Sequence, residues 1–139
     1  MEKTLILHND LQEVPQLALF IDAIAEACGI DPSTSMSLNL AVEEAVVNVM
    51  NYAYPPQTVG EIELHAAVEG GAIEFNLIDS GVPFDPTAGT PPDTTLSAEE
   101  RPIGGLGIFL VGQIMDTVAY RRTDGRNILT MRKTLNNIK

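Results

Sequence analysis

The run "DPSTSMSLNLAVEEAVVNVMNYAYPP", residues 31–56, constrains the fold more than any other stretch. Asp31 and the serines after it offer helix N-caps, and Pro55 and Pro56 stop a helix, so the spacing predicts one long helix between them. Leu38, Ala41, Val42, Ala45 and Val49 recur at three- and four-residue intervals and form an apolar stripe. Beside it Glu44, Asn48 and Asn51, four and three residues apart, line up as a polar stripe. Leu40 and Val47 flank this row, so it is not a broad solvated face, and a carboxylate or carboxamide buried there needs a partner. An ordinary surface row is the competing reading. Glu43, one position off the stripe, is expected to be a solvated or sheet-edge carboxylate.

The remaining segments supply what this helix packs against. "TLILHND" is a short extended run, and "EVPQLALFIDAIAEACGI" has apolar residues at 17, 20, 21, 24, 25 and 28, the spacing of an amphipathic helix with Pro15 in its first turn and Gly29 at its end. Alternation predicts two strands, Glu61 to Val68 and Ala72 to Asp79, joined by a tight turn at Glu69, Gly70 and Gly71. The proline- and glycine-rich stretch from Ser80 to Gly105 is too long for an ordinary connection and reads as a lid or a disordered segment. "GLGIFLVGQIMD" resumes helical spacing, and "TVAYRR" and "NILTMRK" flank the hairpin signal "TDGR". The expected fold is α+β: a two-layer sandwich, a mainly antiparallel sheet with its helices on one face. With 139 residues and no internal repeat, one domain spanning 1–139 is expected.

Composition narrows the function classes. Apolar runs break within a few residues, so neither a membrane span nor a signal peptide is visible, and a soluble, cytoplasmic protein without membrane contact is expected. Cys28 is the only cysteine and no Cys/His cluster has metal-ligand spacing, which argues against a structural zinc site. His8 and His65 fall in predicted strands, where an ordinary strand histidine is the simpler reading. The formal charge of −11 repels polyphosphate backbones, and no direct nucleic-acid contact is expected. A basic protein partner suits it better, although acidity alone commonly means no more than solubility, which is the commoner case. No Lys or Arg occurs between residues 4 and 100.

Glu44 and Asn48 suggest a division of labour. The Asn48 carbonyl oxygen can bind Mg²⁺, which prefers oxygen ligands and retains waters and substrate phosphates in its shell. Glu44 can orient or deprotonate a nucleophile beside those phosphates. In "DSGVPFDP", Asp79 at a strand end can accept from an exocyclic amine such as that of adenine, and Gly81 lets the backbone approach a flat ring, although Asp-Ser-Gly alone is also a simple turn. "GGLG", residues 104–107, opens a helix whose free N–H groups and dipole favour phosphate oxygens. There is no Gly-Lys-Ser/Thr and no Gly-x-Gly-x-x-Gly after a strand, which excludes the common phosphate-binding folds.

Taken in order, "EEAVVN", "DSGVPFDP", "GGLGIFLVGQIMD" and "NILTMRK" resemble the Bergerat-type ATPase fold of histidine kinases and gyrase, and most closely its anti-sigma-factor serine-kinase branch. The resemblance covers about residues 5 to 134. It implies an ATP site with Mg²⁺ between sheet and helices, beneath a lid at about residues 80–105. By the same resemblance Glu44 is the general base, Asn48 the Mg²⁺ ligand, and Asn51 and Tyr52 the continuation of that motif along the nucleotide. Asp79 reads the adenine amino group beside Gly81, Gly105 and Gly107 contact phosphate, and Thr130 supplies a late-strand hydroxyl near the adenine. Arg101, three residues before Gly104, either reaches the γ-phosphate or caps the lid. Members of the branch bind a sigma factor, phosphorylate a serine on a small anti-anti-sigma protein, and often act as homodimers. The implied activity is therefore that of a protein serine/threonine kinase; the alternative is a nucleotide-gated regulator that binds its partner without kinase activity.

Overall fold

The computed structural model describes residues 1–87 and 105–135, with side chains from Leu110 onward in the second span. Its elements are β1 (Glu2–His8), α1 (Pro15–Cys28), α2 (Pro32–Tyr52), β2 (Glu61–Glu69), β3 (Ala72–Asp79), α3 (Gly105–Ile114), β4 (Thr117–Thr123) and β5 (Arg126–Thr134). The expected order of elements is reproduced. A short 3₁₀ turn at Leu11–Glu13 precedes α1 and was not anticipated from the pattern; the Asp10 side chain caps it by accepting from the Gln12 N–H.

The helix ends follow the local chemistry. Pro15 occupies the first turn of α1, where a missing N–H costs nothing, and Gly29 closes it in the left-handed region at φ 70°. Asp31 caps α2 by accepting from the Thr34 N–H at 3.1 Å and from its hydroxyl at 2.6 Å. The helix ends at Tyr52, and the Ala53 N–H still reaches the Val49 carbonyl at 2.9 Å.

Among the described residues five strands form one antiparallel sheet in the order β1-β2-β3-β5-β4. Two tight turns set its register. Gly70 and Gly71 lie at φ 62° and 77°, and Asp124 and Gly125 at 53° and 77°. Two successive positive φ values give the twist that joins antiparallel strands directly. Register then assigns the faces. Ile62, Leu64 and Ala66 of β2 and Ile73, Phe75 and Leu77 of β3 are buried against the helices, joined there by Leu38, Val42 and Val46 of α2. The opposite face carries the cross-strand row Thr4, His65, Asn76 and Thr130. The helices thus lie on one face of the sheet, and α2, the central one, packs against both α1 and α3.

One tyrosine clasps the ends of three elements. Tyr54, just past α2, is buried; its hydroxyl donates to the Glu61 carbonyl at 2.7 Å and accepts from the Ser80 N–H at 3.0 Å. Its ring lies against Gly60, where an added Cβ would overlap ring carbons. Burial holds the phenol above its ordinary pKa. The Tyr54→Phe variant should lose about 1–3 kcal/mol of stability, because two partly buried backbone groups lose their partner. Urea unfolding checks this; a change under about 0.5 kcal/mol, the range of an ordinary surface substitution, would contradict the clasp.

Candidate functional site

The polar stripe of α2 is only partly withdrawn from solvent. Asn48 is buried at 6% exposure, Glu44 is intermediate and Asn51 is exposed. Tyr52, one turn beyond Asn48, carries the row towards the β3–α3 connection. Its ring meets that of Phe84 with centroids 5.6 Å apart and planes inclined at 34°. The Tyr52 hydroxyl is buried and has no hydrogen-bond partner among the described residues.

Phe84 links this helix row to the end of the sheet. Its N–H donates to Asn127 Oδ1 at 3.2 Å, while Asn127 Nδ2 donates to Asp79 Oδ1 at 2.9 Å and to the Val82 carbonyl at 2.8 Å. Asn127 Oδ1 also accepts from the Tyr120 hydroxyl at 2.6 Å and from Arg122 Nη1 at 3.2 Å. A single buried carboxamide therefore holds the turn after β3, the end of β3 and two side chains of β4. Arg122 further donates to the Gly81 carbonyl at 2.9 Å. Register explains the convergence: Asp79 of β3 and Arg122 of β4 are both cross-strand partners of Asn127 on β5.

Asp79 is 2% exposed. Burial raises its carboxyl above the usual carboxylate range, opposed by the hydrogen bonds from Asn127 and Gly81 and by the Arg122 charge. Its bonds to the described residues all fall on Oδ1, which accepts from Asn127 and from the Gly81 N–H at 2.9 Å. Oδ2 is left for a donor from outside this network.

The structure departs from two expectations and adds a packing reason to a third. Thr130 does not approach Asp79. Its hydroxyl donates to Asn76 Oδ1 at 2.6 Å on the sheet face away from the helices, because residues 128, 130 and 132 of β5 point opposite to 127, 129 and 131. Asn127 occupies the place opposite Asp79, a pairing between non-consecutive strands that the Asp124–Gly125 turn does not set. Gly81 has a reason within the fold itself: a Cβ there would overlap the Ala53 carbonyl, which accepts from the Val82 N–H at 2.7 Å. The connection expected to be lid from Ser80 onward is tied to the body at Ser80, Val82 and Phe84.

Gly105 begins α3 and Gly107 lies in its first turn, on a helix that packs against α2. Arg101 lies outside the described residues. The structure therefore connects Asn48, through Tyr52 and Phe84, with Asp79, and sets α3 beside α2; it does not bring Thr130 to them.

A family model described as the histidine kinase-like ATPase domain matches residues 7–133. The chain belongs to that family. It is 30% identical over 122 residues to the serine-protein kinase RsbW of Listeria monocytogenes, covering 85% of this chain and 77% of the relative. It is also 30% identical over 95 residues to the serine/threonine-protein kinase BtrW of Bordetella bronchiseptica, covering 68% of this chain and 67% of that one. Among solved structures it resembles the RsbU and RsbW domains of Rv1364c from Mycobacterium tuberculosis, with a TM-score of 0.70 and 16% identity over 97% of this chain and 32% of that longer one. A histidine kinase domain from Erythrobacter litoralis superposes with a TM-score of 0.55 at 18% identity, over 88% of this chain and 60% of that one. These likenesses agree with the antiparallel sheet and one-sided helices, and membership of an ATPase and kinase family implies ATP use.

The donor set suits Mg-ATP. Asn48 offers a neutral carbonyl oxygen, and a hard cation such as Mg²⁺ can be held by one or two protein oxygens together with substrate phosphates and waters. Among the described residues Asp79 Oδ2 accepts no hydrogen bond and the Tyr52 hydroxyl has no partner, so an acceptor and a donor are available there to a polar ligand.

Two outcomes follow from the network. Asn127→Ala should cost about 2–4 kcal/mol in denaturant unfolding, since it strips partners from a buried carboxylate and from the Phe84 N–H. For Asp79, a native pKa above the unfolded one means that protonation favours the fold, and this contribution is lost as pH rises through the native value. Asp79→Asn removes that loss, so melting of the variant relative to the parent should improve as pH rises from about 4 through the native value. A constant difference across that range would contradict the raised pKa.

Proposed function

We propose that this chain is an ATP-dependent protein serine kinase of the anti-sigma type, which holds a sigma factor and phosphorylates a serine on a small anti-anti-sigma protein. The observation that carries this reading is the line of contacts from the Glu44–Asn48 row through Tyr52 and Phe84 to the buried carboxylate Asp79. It joins residues suited to phosphoryl chemistry with a residue suited to reading an adenine. The kinase names of RsbW and BtrW support the reaction type.

In this reading Asp79 Oδ2 accepts from the adenine amino group while Asn127 and Gly81 hold Oδ1 in place. Asn48 presents its carbonyl oxygen to Mg²⁺, which supplies charge neutralisation at the phosphate oxygens when bound. Gly105 and Gly107, at the start of α3, leave backbone N–H groups free for phosphate. Glu44, half-exposed and one turn before Asn48, accepts the proton of the attacking serine hydroxyl. The serine oxygen bonds to the γ-phosphorus, the bond from that phosphorus to the β–γ bridging oxygen breaks, and ADP leaves. Most of the acceleration comes from placing these groups in line. Arg101 either reaches the γ-phosphate or caps the lid, and a homodimer is the expected assembly.

Glu44→Gln should keep ATP affinity within about threefold while lowering phosphoryl transfer to a serine substrate by at least about a hundredfold, the usual contribution of a general base. Asp79→Asn should instead weaken ATP binding by about tenfold or more, from the loss of one charged hydrogen bond. Labelled ATP, calorimetry and the protein products of neighbouring genes as candidate substrates separate these effects. Transfer unchanged in Glu44→Gln would overturn the base assignment. Partner binding without label, in the parent chain, would replace the kinase by a nucleotide-gated binder.

A further inference from the structure

The groove between α1 and α2 is distinct from the nucleotide-facing row and carries its own chemistry. It is a hollow of about 530 Å³ whose apolar lining includes Val14, Pro15 and Ala18 from the start of α1 and Met36 and Leu40 from α2. Its two charged residues, Asp22 and Glu43, are both acidic. Met36 is 74% exposed and Leu40 43%, and Leu19, on the neighbouring face of α1, is 73% exposed. Single exposed apolar residues are ordinary, but here two of them line one hollow between parallel ridges of side chains.

The charge of the groove is one-sided. From Pro15 to Tyr52 neither helix contains a Lys or Arg, whereas Asp22, Glu26, Asp31, Glu43 and Glu44 all lie within that span. Asp22 is held in position: its Oδ1 accepts from Ser35 Oγ at 3.3 Å and from Asn39 Nδ2 at 3.1 Å. A partner helix seated here would meet an apolar floor and acidic edges. A second copy of this face would bring Asp22 and Glu43 against their own kind, which costs free energy with no basic residue on either helix to relieve it.

We infer that the α1–α2 groove is a docking site for an amphipathic helix of another protein whose apolar face is bordered by Lys or Arg. Helix-in-groove binding places two or three large apolar side chains in such a hollow and uses the flanking charges for orientation. Met36 suits this use, since its flexible thioether adapts to different occupants. None of the lining residues is among those that meet Asp79 or Asn127, although Glu43 directly precedes Glu44 on α2.

The full chain can be titrated, by fluorescence anisotropy, with two labelled peptides that share one apolar helical face and differ only in carrying Lys or Glu on the other. The Lys peptide should bind and the Glu peptide should not. Met36→Asn with Leu40→Asn should weaken the Lys peptide by about tenfold or more, in the manner of a small anchoring cluster. Asp22→Asn with Glu43→Gln should lower both the affinity and its dependence on salt. Glu2→Gln with Glu69→Gln, which removes the same charge from the exposed ends of β1 and β2, should leave affinity within about twofold, since distant rim charges contribute little.

Equal binding of the two peptides would overturn the inference, as would a loss in the β1–β2 control as large as that in the groove variants, which would mark mere attraction to net charge. Sedimentation of the Met36→Asn, Leu40→Asn variant provides a separate check. If the parent self-associates and this variant does not, the groove is covered by a second copy, and the proposed heterologous partner is wrong.

Discussion

The hydrogen bond between Asn127 and Asp79 is the interaction on which the site depends. Asp79 is almost wholly buried, and a carboxylate in that position survives only with donors fixed close to it. Asn127 provides one of them and with the same side chain fastens Val82, Phe84, Tyr120 and Arg122. The backbone turn after β3 is thereby tied to β5 rather than left to its proline and glycine content. Removing this carboxamide would loosen the Phe84 end of the turn and the alignment of the carboxylate together, because they share one partner, while Ser80 and Val82 stay tied to Tyr54 and Ala53.

The helix α2 has three duties on three faces. Leu38, Ala41, Val42, Ala45 and Val49 bury against the sheet. Glu44, Asn48 and Tyr52 follow one another at four-residue steps towards the turn that carries Phe84. Met36, Leu40 and Glu43 look into the groove beside α1. An amphipathic helix of an ordinary domain needs only a buried face and a solvated one. The additional faces explain why α2 shows such a weak contrast between apolar and polar sides: part of what lies outside the core is half-buried, and part is apolar but exposed. Glu43 and Glu44 are neighbours in sequence yet serve opposite sides of the helix row, one facing the groove and the other the phosphoryl chemistry proposed here.

Much of the architecture was legible in residue patterns because it rests on local rules. Pro15, Gly29 and Asp31 mark helix ends through a missing N–H, a positive φ and a side-chain cap. The two Gly-containing turns set antiparallel register, and alternation then separates buried from exposed positions. What escaped was cross-strand. Thr130 is the late-strand hydroxyl that the family resemblance sets near the adenine, yet a displacement by three positions changes face, and the residue opposite Asp79 is Asn127. Arg122 and Tyr54 escaped for a similar reason: their roles consist of bonds to residues 41 and 26 positions away, respectively, which no local periodicity records. Gly81 was noticed, but its tight neighbour is the Ala53 carbonyl, a contact visible only once the turn is folded onto the end of α2.

Two costs left in the ligand-free fold lie on the two sides of Phe84. On one side the Tyr52 hydroxyl is buried without a partner among the described residues, and on the other burial disfavours the charge of Asp79. Neither is what stability alone would select, since a phenylalanine at 52 and a neutral amide at 79 would each remove a penalty. The two groups are coupled: Tyr52 packs on Phe84, whose N–H shares Asn127 with Asp79. A ligand that donates to Asp79 Oδ2 would relieve the carboxylate directly and, by fixing Asn127 and the Phe84 backbone, would steady the aromatic pair next to Asn48. Binding at the sheet end in the proposed manner would reach the α2 row through a short chain of hydrogen bonds and one ring contact. A ligand bound there in the manner proposed would make the fold more stable, by an amount set by its concentration relative to its affinity.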